Sequence, residues 1–181
     1  MAPHRRRLSA LWVGLAMLSA QPGLAQLSQT VITGPVGSGS FGFRVAVLPN
    51  GNFVVSDPGF GLPDAVGVGA VHLYRGSDHA RIATLTGSAS DRLGFDISVL
   101  PGGDYLIRSP NWNAGAGAVT WCDGEIGCSG VVDDTNSAIG TTPSDQVGLT
   151  VLVLANGNYL ISTRNWSNPV GPVPSVGAVR L

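Results

Sequence analysis

A chain of 181 residues with 26 Gly, 12 Pro and a formal net charge of −1 has neither the basic footprint of a nucleic-acid binder nor the charge excess of a disordered segment. It contains no Lys at all, which excludes P-loop nucleotide chemistry, Schiff-base lysines and a Lys general base. Val, Ile, Leu and Thr between Gly, Asn, Asp and Pro punctuation give an all-β composition.

The chain opens MAPHRRRLSALWVGLAMLSAQPGLAQ. Arg5, Arg6 and Arg7 precede an apolar run from Ala10 to Ala20, and small residues follow at Gly23 and Ala25. This is the order of a secretory signal peptide. The run is about half the ~20 residues that a spanning helix needs. Cleavage after Ala25 is expected, leaving 26–181 with 7 Arg against 11 acidic residues, a balance of −4. The expected product is secreted, surface-bound or periplasmic, with no membrane span and no nucleic-acid partner.

Next comes QTVITGPVGSGSFG, 29–42. It reads as the tail of a repeat unit, with a strand near Thr30–Thr33. The first full unit, 41–92, follows as four short strands. FRVAVL (43–48) alternates, placing Phe43, Val45 and Val47 on an apolar face and Arg44 and Ala46 opposite. Asn50-Gly51 is tight-turn chemistry. FVVS (53–56) is apolar at successive positions, the mark of a strand buried on both faces. AVHLY (70–74) alternates with Val71 and Leu73 inward, His72 and Tyr74 outward. ARIATL (80–85) closes the unit.

The pattern then recurs. VLPNGNFVVSDP (47–58), VLPGGDYLIRSP (99–110) and VLANGNYLISTR (153–164) align on Leu48, Leu100 and Leu154. The second unit is 93–146, with VVDDTNSAI as a weaker fourth strand and Trp121 on the inward, core-forming face of the third. The third unit is 147–181 and stops within its third strand. Tandem four-stranded units with Gly at the corners predict an all-β, propeller-like fold. The orphan strand in 26–40 and the three-strand final unit sum to one blade, so a homodimer completing a six-bladed ring is a candidate assembly.

FGFRVAVLPNGNFVVSDPGF followed by VGAVHLYRG resembles the FG-GAP repeat of integrin-α-type propellers. It is more similar to a bacterial variant found in large secreted haemagglutinin-like proteins, where LPNGNYVVSSPNWD and GAVTWG modules recur. The resemblance covers 41–181 and implies a propeller architecture, while the function of the bacterial variant is mostly unassigned. It does not extend to the calcium loop of integrin-type units. The turns here read LPNGN, LPGGD and LANGN, so only Asp104 supplies a carboxylate where calcium needs several. No metal and no cofactor are expected.

Cys122 and Cys128 are the two cysteines, and an even count in an exported chain predicts a disulfide across DGEIG. Ser77-Asp78-His79 holds triad residue types, but neighbours in one turn point apart and cannot relay a proton. Asp133-Asp134 fall on opposite faces if extended. No catalytic residue is assigned. The candidate binding residues are Phe60, Asn111, Trp112, Asn165 and Trp166, which recur just after the second strand of each unit. Aromatic faces there can stack on sugars or anchor a protein, or can pack between units. The expected function is a non-catalytic, exported binding module for glycans or proteins. The alternatives are a secreted hydrolase using loop carboxylates, or a structural piece of a larger repeat protein.

Overall fold

The computed structural model describes residues 29–168, 170 and 175–181. The expected leader, 1–25, lies outside the described residues. The first unit forms β1 (Arg44–Val47), β2 (Phe53–Asp57), β3 (Ala70–Tyr74) and β4 (Arg81–Thr86). The second forms β5 (Asp96–Val99), β6 (Tyr105–Ser109), β7 (Ala118–Cys122), β8 (Gly130–Val131) and β9 (Ser137–Ile139). The third forms β10 (Thr150–Val153), β11 (Tyr159–Thr163) and β12 (Ala178–Arg180). The fold is all-β, and each unit builds its own open antiparallel sheet: β1-β2-β3-β4, β5-β6-β7-β9 and β10-β11-β12. Among the described residues no helix is long and apolar enough to cross a membrane.

The hairpin between the first two strands is built alike in all three sheets. Leu48 N–H donates to Asn52 O at 2.8 Å, as Leu100 does to Asp104 and Leu154 to Asn158. Gly51, Gly103 and Gly157 take φ of +87°, +101° and +89°, which a Cβ would resist. Asn50 does not share that conformation. It contributes through its side chain, whose Oδ1 accepts the Asn52 N–H at 3.0 Å, an Asx turn that Asn156 repeats at 3.1 Å.

Register fixes two faces per sheet. Val45 lies opposite Val55, and Val47 opposite Phe53, with Ile97/Ile107 and Val151/Ile161 in the same places. We call this face the front. Ala46, Val54 and Leu73 form the back of the first sheet, and Ser98, Leu106 and Trp121 the back of the second. The back of one sheet packs on the front of the next. Val54, Val71 and Leu73 meet Tyr105 and Ile107 in one core. Leu106 and Val119 meet Ile161 and Val151 in another. Two apolar layers closing on each other exclude water from both, at about 25 cal/mol per Å² of apolar area.

Several expectations give way to this stacking. Phe43, Val45 and Val47 are 44%, 61% and 70% exposed, because no described sheet covers the front of the first. His72 and Tyr74 point to that same front, yet both are buried, with Phe41 lying 6.0 and 6.1 Å from their rings. Trp121 is not core: it is 47% exposed. Residues 29–33 form no strand. VVDDTNSAI splits, since Asp133 folds a turn by accepting from Thr135 N–H and Oγ1. Its second half, β9, is the fourth strand of the second sheet, while β8 runs back to pair in parallel with β4 of the first.

Candidate binding grooves between the sheets

The loops after the second strands and the loops joining one sheet to the next meet at one end of the stack. The tie between them is a buried carboxylate. Asp91 Oδ2 accepts the Ser88 N–H at 2.6 Å in its own loop, and its Oδ1 accepts the Asn113 N–H at 2.8 Å across the gap. Asp145 repeats the arrangement with Thr142 at 3.0 Å and Ser167 at 3.0 Å. The counterpart position in the first unit is Gly39. There the carboxylate comes from the other side: Asp57, in the place of Ser109 and Thr163, accepts from Gly39 and Ser40 at 3.3 and 2.6 Å. Donors of this kind offset the cost of burying a carboxylate; Asp91 and Asp145 engage both oxygens, Asp57 only Oδ1. All three are structural pins.

The aromatic residues of this region are also clamps. Phe60 O, Trp112 O and Trp166 O accept the N–H of Gly69, Gly117 and Gly177 at 3.0, 2.9 and 3.1 Å. Each of those glycines opens a third strand with positive φ. Phe60 is 8% exposed and packs with Val68 and Ala70; Trp112 is 8% exposed and belongs to the first inter-sheet core. Neither ring offers a free face. Trp166 is half-buried, and Asn111 is exposed.

Two clefts lie beside these pins, the first between the first two sheets and the second on the third sheet and the loop entering it alone. The first, ≈ 150 Å³, is lined by Ser40, Phe43, Gly59, Arg92, Phe95 and Asn111. The second, ≈ 30 Å³, includes Gln146, Leu149 and Asn165, the repeat counterparts of Arg92, Phe95 and Asn111, and adds Arg164. The second is narrow because Asn165 Nδ2 donates to Gln146 Oε1 at 2.7 Å. Among the described residues no such bond joins Asn111 to Arg92. Arg92 and Gln146 both sit at positive φ, 50° and 59°, directly after the pinning carboxylates. The first cleft thus presents a guanidinium, an amide and the rings of Phe43 and Phe95 on one concave surface. That set can hydrogen-bond hydroxyl or carbonyl oxygens while an apolar face lies on a ring.

The remaining polar residues of interest are engaged in the fold. Asp104, the lone turn carboxylate, accepts the Gly124 N–H at 3.1 Å, just as Asn52 accepts the Gly76 N–H at 3.3 Å. Cys122 and Cys128 form a disulfide. Tyr105 is buried, which pushes its hydroxyl above the ordinary range, against the opposing hydrogen bond from the Cys128 N–H. His72 Nδ1 lies 2.9 Å from Thr84 Oγ1. Burial pushes its pKa down to about 4, with Arg81 adding to the effect and Asp57 opposing it. Asp78 of the Ser77-Asp78-His79 turn accepts the Ala80 N–H at 3.0 Å, which lowers its pKa most, and pairs with Arg75 at 3.0 Å, which adds to the effect against opposing desolvation.

The candidate residues lie at this end of the sheets, but the carboxylates that organise it are not among them. Asp91 and Asp145 occupy one place in GSASDRLG and PSDQVG, a signal that was there to read. Asp57 carried none, because its role is visible only once Gly39 is seen to lack the carboxylate.

A family described as a repeat of unknown function (DUF5650) matches residues 47–82, 99–149 and 153–180. No curated protein matches the chain.

Proposed function

The chain belongs to this family of repeats, and on that footing we propose that it is an exported, non-catalytic binding module whose stacked sheets act as consecutive propeller-type blades, in keeping with its FG-GAP-like motifs. The ligand class we favour is a glycan. One observation carries the reading: a groove bearing Arg92, Asn111 and two phenylalanine rings sits between the first two sheets. Hydrogen-bonding groups beside aromatic rings suit a ligand with hydroxyls on its edges and an apolar face, as a sugar ring has. The hydrolase alternative has less support, since Asp91 and Asp145, the carboxylates beside the grooves, are committed to backbone amides.

The test is a glycan array probed with the secreted chain, followed by titration of each hit. Arg92→Ala and Asn111→Ala should each weaken binding about tenfold, the equivalent of one lost hydrogen bond to a charged or polar partner. Phe95→Ala should weaken it further. An array without hits, or hits whose affinity is unmoved by all three variants, overturns the proposal.

A further inference from the structure

Among the described residues two sheet faces have no sheet over them, and the repeat itself says what fits them. Val71 and Val119, on the backs of the first and second sheets, are each 2% exposed under the next sheet; their counterpart Val179 on the third is 66% exposed. Leu152, on the same back, is 55% exposed. At the other end the front of the first sheet shows Val45 and Val47, 61% and 70% exposed. Fronts of this kind cover backs of this kind twice within the chain.

The edges carry the same message. β3 and β7 each hold a fourth strand, β4 and β9. β12 has no neighbour on its outer edge among the described residues. Ile32-Thr33-Gly34 is the repeat counterpart of Leu85-Thr86-Gly87 and Ala138-Ile139-Gly140. It lies 11 residues before the first strand of its sheet, as Ile139 lies 11 before Thr150 and Thr86 lies 10 before Asp96. In a single copy Ile32 rests unpaired on the front of the first sheet, in a shallow cleft with Phe41, Val45 and Phe53.

We infer that the uncovered back of the third sheet is a docking surface for a second copy of this chain, joined head to tail. Residues 32–34 of one copy add to the free edge of β12 in the other. The register follows Ala118↔Ile139 and Ala70↔Thr86, giving Ala178↔Thr33 and Val179↔Ile32. Gly34 N–H then donates to Gly177 O, as Gly140 does to Gly117 at 2.8 Å and Gly87 to Gly69 at 3.2 Å. The incoming first sheet lays Val45 and Val47 over Leu152 and Val179. Strand addition supplies the hydrogen bonds and the apolar faces supply the burial. The inference goes beyond the glycan reading and uses different surfaces.

The experiment is the solution mass of the secreted chain by sedimentation equilibrium, with Val45→Glu (front) and Val179→Glu (back). Both valines are exposed in one copy, so each variant should keep the wild-type circular dichroism spectrum. Wild type should show two chains, or a rising series of masses if the array stays open; either supports the junction. Each variant alone should lose at least a hundredfold in association. An equimolar mixture of the two should regain a dimer, because the back of V45E is intact and meets the intact front of V179E. A wild-type monomer up to roughly 100 µM overturns the inference. So do variants that associate as wild type does, or a mixture that stays monomeric. Glycan binding by the monomeric variants should be unchanged, so the two proposals fail separately.

Discussion

The two junctions between sheets use the same repeat positions, but one is sealed and the other is open. At the first, Leu73 is 1% exposed; at the second, its counterpart Trp121 is 47% exposed. The difference lies in residues 123–132, which leave the second sheet and return over the first. A Cβ at Gly127 would meet Ala83 Cβ at 2.6 Å and Leu73 Cδ2 at 3.1 Å, so the chain there lies flat on the back of the first sheet. Asn50 and Asn52 both donate to Gly124 O, at 2.9 and 3.0 Å, and Val132 N–H donates to Thr86 O at 3.0 Å. At the second junction Trp121 borders an open cleft of ≈ 370 Å³ with Leu100, Tyr159 and Leu181. Repeat identity sets the sheets and their order. An insertion within one repeat sets how well water is excluded between them.

That contrast can be broken at matched positions. Ile107 and Ile161 are counterparts, 1% and 3% exposed. Ile107→Ala should cost about 4 kcal/mol, because the sealed junction cannot collapse around the cavity, and Ile161→Ala about 2 kcal/mol. Urea denaturation of both variants measures the difference; equal losses would show that the insertion adds nothing to packing.

The second prediction concerns His72, where the middle sheet has Thr120 in the same place. Folded His72 stays neutral down to about pH 4, while in the unfolded chain it charges near pH 6.5. The unfolded state therefore binds the extra proton between those values. This contribution to stability is complete above about pH 6.5 and fades as pH falls toward 4, by about 3 kcal/mol. His72→Gln should flatten that slope in denaturation curves taken across the window. A variant with the wild-type slope would place the pH dependence elsewhere.

The disulfide comes next. Cys122→Ser with Cys128→Ser should lower stability by roughly 2 kcal/mol, the scale expected for so short a loop. Hydrogen exchange should rise in β4, which the insertion covers, and stay level in β11. A uniform rise across all sheets would mean that the insertion is not the local seal described above.

The smallest effect contrasts two arginines. Arg108 is largely buried, pairs with Asp96 at 2.6 Å and donates to Gly148 O at 2.9 Å and to Leu149 O, tying the second sheet to the third. Arg44 reaches the same Asp96 at 3.3 Å from an exposed position. Arg108→Ala should cost about 1.5 kcal/mol and be insensitive to salt. Arg44→Ala should cost about 0.3 kcal/mol and vanish in 0.5 M salt.

Much of the fold was legible because a strand's period of two needs only alternation and punctuation. Phe43/Val45/Val47, the Asn-Gly turns, ARIATL and the three-fold recurrence at Leu48, Leu100 and Leu154 were enough to place ten of the strands, the first three of each sheet and the fourth of the first. The fourth strand of the second sheet was harder to read, since VVDDTNSAI holds two pairing segments, and Asp133 breaks them apart. Burial was less legible still. His72 and Tyr74 look outward by alternation, but both faces of the first sheet hold side chains in contact. Trp121 looks inward, but among the described residues no layer covers it at its own junction. The candidate aromatics recur at one place in the sequence, and that recurrence does not say whether their rings are free. Phe60 and Trp112 are buried there, leaving Arg92 and Asn111 to face the groove.

The sequence by itself determined the strands, their hairpins and the apolar face of each sheet, because those follow from residue-by-residue alternation and from turns closed within five residues. It also determined which cysteines could pair. Only the tertiary structure decided which faces are covered and which stay open. Coverage depends on what the neighbouring sheet and the 123–132 insertion bring against a face, contacts that join residues 40 to 75 positions apart. The same holds for the pinning carboxylates: Asp57, Asp91 and Asp145 do one job from two different repeat positions, and only proximity in space identifies it.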